Sequence, residues 1–221
     1  MPVGVVPLHT KVITPDDDLM EIIATYAQPF LKHGDILVIA ESVVAISQGR
    51  IVRPENVKPG LWARLFARFV HPDGSLSSPF AMQVIMNEEG TARTVFAFFI
   101  SSLTRILLGR RGDFYRLAGK QSSLVDDVTG NMPPFDKHIV LGPREPEKVV
   151  EEIKNRFGVE AAIIDANDLG RTHILAATRG VNQNLLVRVF KKNPAGNADE
   201  QTPLVIVRKD HHAASGGTNR G

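Results

Sequence analysis

Hydrophobic and polar positions change period repeatedly along this chain of 221 residues, and each change marks an element. "GVVPLH" alternates as a short strand does. "TPDDDLMEIIATYAQPFLKHGD" switches to helical spacing, with Leu19, Ile22, Ile23 and Tyr26 as the inward stripe. Thr14 is the expected N-cap and Pro15 the first helical residue. Asp16, Asp17 and Asp18 suit the positive end of the helix dipole, and capping and solubility account for them. Pro29 is expected to bend or end this helix. His33 and Gly34 then turn into "DILVIA", whose unbroken apolar run predicts a fully buried strand.

Beyond it, "ESVVAISQGRIV" runs through Gly49, a helix stop or turn, into another short strand. "KPGLWARLFARFVHP" predicts an amphipathic helix carrying Trp62, and "SPFAMQVIMNEEG" and "TARTVFAFFISSLTRILLG" predict two more. "RGDFYRLAG", set between glycines, reads as a strand, "DDVTGNMPPFDKH" as a polar loop and "IVLGP" as a strand. "EPEKVVEEIKNRFG" is a helix by its early acids, late Lys154 and Arg156, and Gly158 stop. "VEAAIIDANDLG" follows as an apolar strand that runs into a polar cluster. "RTHILAATRG" and "QTPLVIVRK" are strands around the helix "VNQNLLVRVFKK", and residues 209–221 are expected to be a disordered tail. No internal repeat is present. Strands and helices alternate irregularly, so the expected class is α+β with mixed sheets and packed helices. Residues 1–208 are expected to form one domain, as a single body or as two interlocked lobes.

Composition narrows the chemistry. The absence of cysteine excludes disulfides, zinc–thiolate sites and cysteine nucleophiles, and fits a cytoplasmic protein. The start lacks the basic head and long apolar centre of a signal peptide. A net charge of +2 is no strong cationic field. The basic clusters "GRRGDFYR" and "RVFKK" read as solvated faces rather than a nucleic-acid site. "TVFAFFISSLTRILL" is flanked by Arg93 and interrupted by Arg105, which leaves it short of a charge-poor membrane span. It reads as a buried helix, with peripheral membrane contact as the lesser alternative. No Gly-x-Gly-x-x-Gly follows a strand, no Walker loop exists, and no serine sits in a nucleophile elbow.

Carboxylates remain. Asp165 with Asn167 and Asp168, the pair Asp126 and Asp127, and Asp136 with His138 are the three acidic candidates. A hard divalent cation takes one or two carboxylates plus phosphate oxygens, so carboxylates on separate loops suit it. Asp165 stands where an apolar strand runs out at a sheet rim. The same residues also suit an Asx-turn, and their types alone leave both readings open. Asp126 and Asp127 are adjacent, so in a strand they point opposite ways.

The order of elements, taken with "VGVVPLHTKVITPDDDLMEIIA", "HGDILVIAESVVAISQGRIV" and the strand into Asp165, resembles the coenzyme F420 γ-glutamyl ligase family. "AGKQSSL", "EPEKVVEEIKNRFGVEAAIIDAN" and the C-terminal strand extend the resemblance over most of the chain. What it implies is an F420 ligase-like fold and a ligase that joins an acid to the amine of glutamate. The resemblance further implies dependence on GTP and on Mg or Mn, with the acid activated as an acyl phosphate. Carried over by position, Asp165 is the metal-binding aspartate, and Asp126 or Asp127 is a further candidate ligand. Glu41, Ser42 and the backbone of Lys11, Val12 and Ile13 fall on the nucleotide. The resemblance also implies small-molecule partners, no nucleic acid, and a homodimer. Three positions depart from the family pattern: Gln121 replaces an aspartate, Leu124 an asparagine and Ile46 a lysine. The segment "GRTHILAATRG" is shortened, and "RVFKKNPAG" replaces a Met-Gly-Glu/Gln turn. A binding module that keeps the scaffold without the catalysis is therefore the second expectation.

Overall fold

The structure is a computed structural model, and it describes residues 3–70, 75–110, 112–125, 134–135, 137–166, 172–191, 194–196 and 201–209. In chain order the strands are β1 (Val3–Leu8), β2 (Ile36–Ala40), β3 (Ile51–Val52), β4 (Ile139–Val140), β5 (Glu160–Ala166), β6 (Thr172–Ala177) and β7 (Leu204–Lys209). The helices are α1 (Leu19–Tyr26), α2 (Glu41–Ser47), α3 (Leu61–Ala67), α4 (Pro79–Glu89), α5 (Thr91–Leu108), α6 (Asp113–Ala118), α7 (Gln121–Leu124), α8 (Pro146–Phe157) and α9 (Gln183–Phe190). The chain divides into two compact units, the first from residues 1–49 and 143–221 and the second from residues 50–142. The α+β class with a mixed sheet is what the chain adopts.

The first unit is built on a five-stranded sheet of order β1-β7-β2-β5-β6. β2 and β5 run parallel, with Ala40 opposite Ile164, and every other pairing is antiparallel. Both faces of the sheet are covered, which is why "ILVI" in β2 is apolar throughout rather than alternating. Leu37, Ile39, Ala161, Ile163 and Ile206 join the α1 and α8 side chains in one core layer. Ile36, Val38, Ala162, Ile164 and Val205 meet Leu186 and Phe190 of α9 in the other.

Helix α1 starts later than its sequence suggests. Asp18, not Thr14, is the N-cap, and its carboxylate accepts from the backbone N–H of Met20 and Glu21. Thr14 instead donates its backbone N–H and hydroxyl to Asp17, so residues 14–17 form a turn of their own. An aspartate placed one residue before Leu19 caps two donors at once and outcompetes the threonine upstream.

Glu160, at the start of β5, meets Lys154, the Thr178 hydroxyl and the Gly180 backbone N–H. These contacts, led by the Lys154 hydrogen bond, hold its carboxyl below the ordinary range against a smaller opposing effect of burial. A depressed carboxylate stabilises the fold above its unfolded pKa, and that contribution is lost as pH falls through the lowered value. Glu160→Gln is therefore expected to be less stable than wild type at neutral pH, with the two urea midpoints converging in acid. A difference that persists unchanged at low pH would assign the effect to packing instead.

The second unit has a core of Ala63, Phe66, Leu76, Met82, Ile85 and Ile139 among others, to which the two-stranded sheet of β3 and β4 contributes Ile139 and, partly buried, Val52. Phe98 of α5 stacks on buried Phe66 with 3.9 Å between ring centroids. Two sequence expectations fail here. "RGDFYRLAG" is not a strand but contains α6, because Asp113 at its first turn pairs with Arg116 three residues on, a helical spacing. The apolar segment of α5 is not buried either: only Thr94 and Ala97 are, and Ile106 is 80% exposed.

Gly142 closes this unit. A Cβ there would stand 2.6 Å from the Leu124 Cβ, an atom fixed by its own backbone. Gly142→Ala is expected to lower stability by about 1–3 kcal/mol through overpacking. Urea denaturation would check it, and in the background of Leu124→Gly, which removes that Cβ, the added cost of Gly142→Ala should shrink.

Candidate functional site

One rim of the five-stranded sheet gathers most of the candidate residues. Leu8 lies opposite Leu204, Leu204 opposite Ile39, Ala40 opposite Ile164, and Ala166 opposite Thr172. The ends of β1, β2 and β5 and the starts of β6 and β7 therefore share this edge. Two of these strands, β2 and β5, end here side by side and in the same direction, and α/β sheets place ligands outside such carboxyl ends.

Asp165 is the penultimate residue of β5, and Glu41 follows the β2 residue that pairs with Ile164. Parallel pairing thus brings Ala40 abreast of Ile164 on strands about 4.8 Å apart, and Glu41, the first residue of α2, and Asp165 each follow one member of that pair. Ser42 follows Glu41 in the first turn of α2 and is half-buried. Lys11, Val12 and Ile13 leave the end of β1 on the same rim, three strand positions from β5, or roughly 14 Å. Within that segment the roles differ. Lys11 holds Asp17 in an ion pair of 2.5 Å, a hydrogen bond that raises the lysine pKa and lowers that of the aspartate. Ile13 is buried in the core layer of α1 and α8, so only its backbone faces outward chemistry.

Antiparallel pairing adds a residue that the sequence did not single out. His173 of β6 lies directly opposite Asp165. Burial raises the Asp165 carboxyl above the ordinary carboxylate value, and the His173 charge opposes that rise. The side chain remains exposed on the rim, so the neighbouring strands thin its water without sealing it off. Only the antiparallel register of β5 and β6 identifies His173, and no period in the linear sequence encodes it.

Among the described residues, no three His, Cys, Asp or Glu side chains converge as a preformed metal cage. The donor set at Asp165 fits a different mode, in which a divalent cation takes one protein carboxylate and completes its shell with phosphate oxygens and water. Asp126, Asp127, Asp136, Asn167 and Asp168 lie outside the described residues.

In the second unit, the segment "AGKQSSL" forms the end of α6 and all of α7. Glu89 holds it, accepting the Gln121 backbone N–H at 2.8 Å while its other oxygen takes Arg93 at 3.0 Å. Gln121 Oε1 is buried with no hydrogen-bond partner among the described residues. Leu124 packs toward Gly142, and Ile46 of the first unit is buried. Glu89 is the second residue that sequence reasoning missed; its four-residue spacing to Arg93, across Gly90, is the signal that would have found it.

Comparison with known proteins places these features in context. Residues 7–165 match the family described as F420-0:Gamma-glutamyl ligase. The chain is similar to "Coenzyme F420:L-glutamate ligase" of Methanopyrus kandleri, 28% identical over 236 residues that cover 92% of this chain and 84% of that protein. It is also similar to "Coenzyme F420:L-glutamate ligase" of Methanothermobacter thermautotrophicus, 32% identical over 145 residues that cover 64% of this chain and 50% of that protein.

Proposed function

From the premise that the chain belongs to the F420-0:Gamma-glutamyl ligase family, we propose that it catalyses GTP-dependent amide formation between an F420-type acid and L-glutamate. The observation that carries this reading is the shared rim, where Asp165 lies at the end of β5, Glu41 follows the end of the parallel strand β2, and residues 11–13 follow β1. Asp165 would hold Mg or Mn together with nucleotide phosphate. The bound cation would supply charge neutralisation for phosphoryl chemistry. The chain's own residues do the rest. The backbone at Lys11, Val12 and Ile13 and the segment at Glu41 and Ser42 position the nucleotide, and His173 stands opposite Asp165 in the antiparallel register. The Lys11–Asp17 pair and the Thr14–Asp17 hydrogen bonds together restrain the 11–17 segment. Asp126 or Asp127 remains a further candidate ligand. We place the reaction in the cytoplasm, with small-molecule substrates and a homodimer as the family resemblance implies.

The direct test is release of inorganic phosphate and formation of a glutamyl amide with GTP, Mn²⁺, L-glutamate and F420 precursor. Phosphate release without amide would leave the nucleotide site and remove the named acceptor; neither product would remove the ligase reading. A second reading rests on Gln121, whose unpartnered buried amide oxygen stands where the family has a carboxylate. On that reading the chain binds nucleotide without turning it over. Calorimetry showing metal-dependent GTP binding in a sample without turnover would select it.

A further inference from the structure

Among the described residues, the most exposed apolar side chains cluster in the second unit, on α3 and α5. Leu61 of α3 is 78% exposed, and Phe99, Leu103, Ile106, Leu107 and Leu108 of α5 are all more than half exposed. The two helices form one surface: Trp62 meets the Phe99 ring edge-on at 6.3 Å and lies 5.5 Å from Phe66. Monomeric proteins rarely leave so much contiguous apolar surface in water. Neither helix contains an acidic residue. Arg64, Arg68 and Arg105 stand on or beside this surface, and none of the described carboxylates pairs with them. Residues 50–142 carry twelve Lys and Arg against eight Asp and Glu, so the excess positive charge of the chain sits in this unit.

A second feature adjoins the first. Lys58, Arg64 and Arg68 line a cleft of about 730 Å³ with Ser77, Phe80 and Ala67, and none of the described residues lining it is acidic. Arg64 and Arg68 are one helical turn apart on the helix that also presents Leu61, Trp62 and Leu65. The same short element thus offers apolar side chains and, beside them, paired guanidinium groups suited to phosphate.

We propose that this surface docks the protein onto an anionic lipid bilayer, with the apolar side chains of α3 and α5 in the acyl boundary and Lys58, Arg64 and Arg68 on headgroup phosphates. Charge selects this occupant over a second copy of the chain. A two-fold contact through these helices would set arginines against arginines, with no acid on either helix to receive them. An anionic bilayer supplies both the apolar depth and the opposite charge, the combination that holds interfacial helices. The 18 residues of α5 are long and apolar enough to cross a membrane. Its other side is committed, though, by the Phe98–Phe66 stack and by Arg93 donating to the Leu117 carbonyl at 3.0 Å, so the helix lies along the surface. This docking is independent of the rim chemistry of the first unit, which is assayed without vesicles.

Trp62 is the only tryptophan, so its fluorescence reports on this face alone. With the full chain, phosphatidylglycerol vesicles at low salt should shift its emission to the blue and co-sediment the protein. Phosphatidylcholine vesicles should do neither, and high salt should weaken the association. Arg64→Gln with Arg68→Gln should weaken binding roughly twentyfold. Ile106→Glu with Leu107→Glu, at exposed positions that leave the core untouched, should abolish it. No sedimentation with phosphatidylglycerol would overturn the proposal, as would wild-type binding by both double variants. A concentration-dependent dimer that blocks vesicle binding would show that a second copy covers the face. The same Trp62 shift with soluble glycerol phosphate would reduce the site to a small-anion cleft.

Discussion

Replacing Asp165 by Asn is expected to leave the protein folded and to reduce ligation by roughly 10²–10³-fold, since a carboxylate that anchors a cation at phosphate contributes several kcal/mol. The substitution keeps the shape of the side chain and removes its charge. Its effect on stability has a definite sign. Burial raises the Asp165 carboxyl above its ordinary value. A raised acid contributes stability below its unfolded pKa, and that contribution is lost as pH rises through the folded value. At neutral pH the carboxylate is thus slightly unfavourable in the free protein, and a neutral amide carries no such cost. The variant should melt at or above the wild-type temperature without metal and lose the metal-dependent increase in GTP affinity. Metal binding to wild type should itself strengthen with pH through the raised carboxyl value, because only the ionised form is a ligand. Calorimetry with GTP and Mn²⁺ across acid to neutral pH measures both effects. Equal metal-dependent affinity in wild type and variant would remove Asp165 from the site.

Replacing Asp35 by Ala should have the largest effect on folding, a loss of about 3–5 kcal/mol. Asp35 is 1% exposed and lies just before β2, opposite the end of β7. Arg208 donates to both its oxygens, from Nε at 2.7 Å and from Nη2 at 2.6 Å, and the Lys32 backbone N–H donates at 2.8 Å. The same Nη2 also reaches the Phe30 carbonyl at 3.0 Å. Truncating the acid leaves the guanidinium without its bidentate partner and the Lys32 N–H without an acceptor. Domains are stable by only about 5–15 kcal/mol, so this single change takes a large share of the total. Urea denaturation would read it, and Asp35→Asn, which keeps an acceptor but not the charge, should lie between the two. A loss below about 1 kcal/mol would show that water replaces the carboxylate.

The sequence by itself determined the order of strands and helices in the first unit, the two-sided burial of β2 and the placement of Asp165 at a strand end. Each follows from local rules: period, capping and the run-out of an apolar stretch. Short elements escaped those rules. A six-residue segment such as α6 spans under two turns, so its Asp113–Arg116 spacing weighs as little as its alternation until Phe114 finds the core of its unit. Thr14 and Asp18 are both good caps, and only the packed position of Leu19 chooses between them.

What the tertiary structure decided is adjacency. Glu41 and Asp165 are 124 positions apart, and parallel pairing of β2 with β5 brings both to the same rim of the sheet. His173 becomes the neighbour of Asp165 through an antiparallel register that no periodicity encodes. The apolar run of α5 reads the same whether a helix is enclosed or open, because hydrophobicity records what a side chain prefers and not what is there to meet it. Only the packing of Phe98 on Phe66, with Ile106 to Leu108 left in solvent, separates the two.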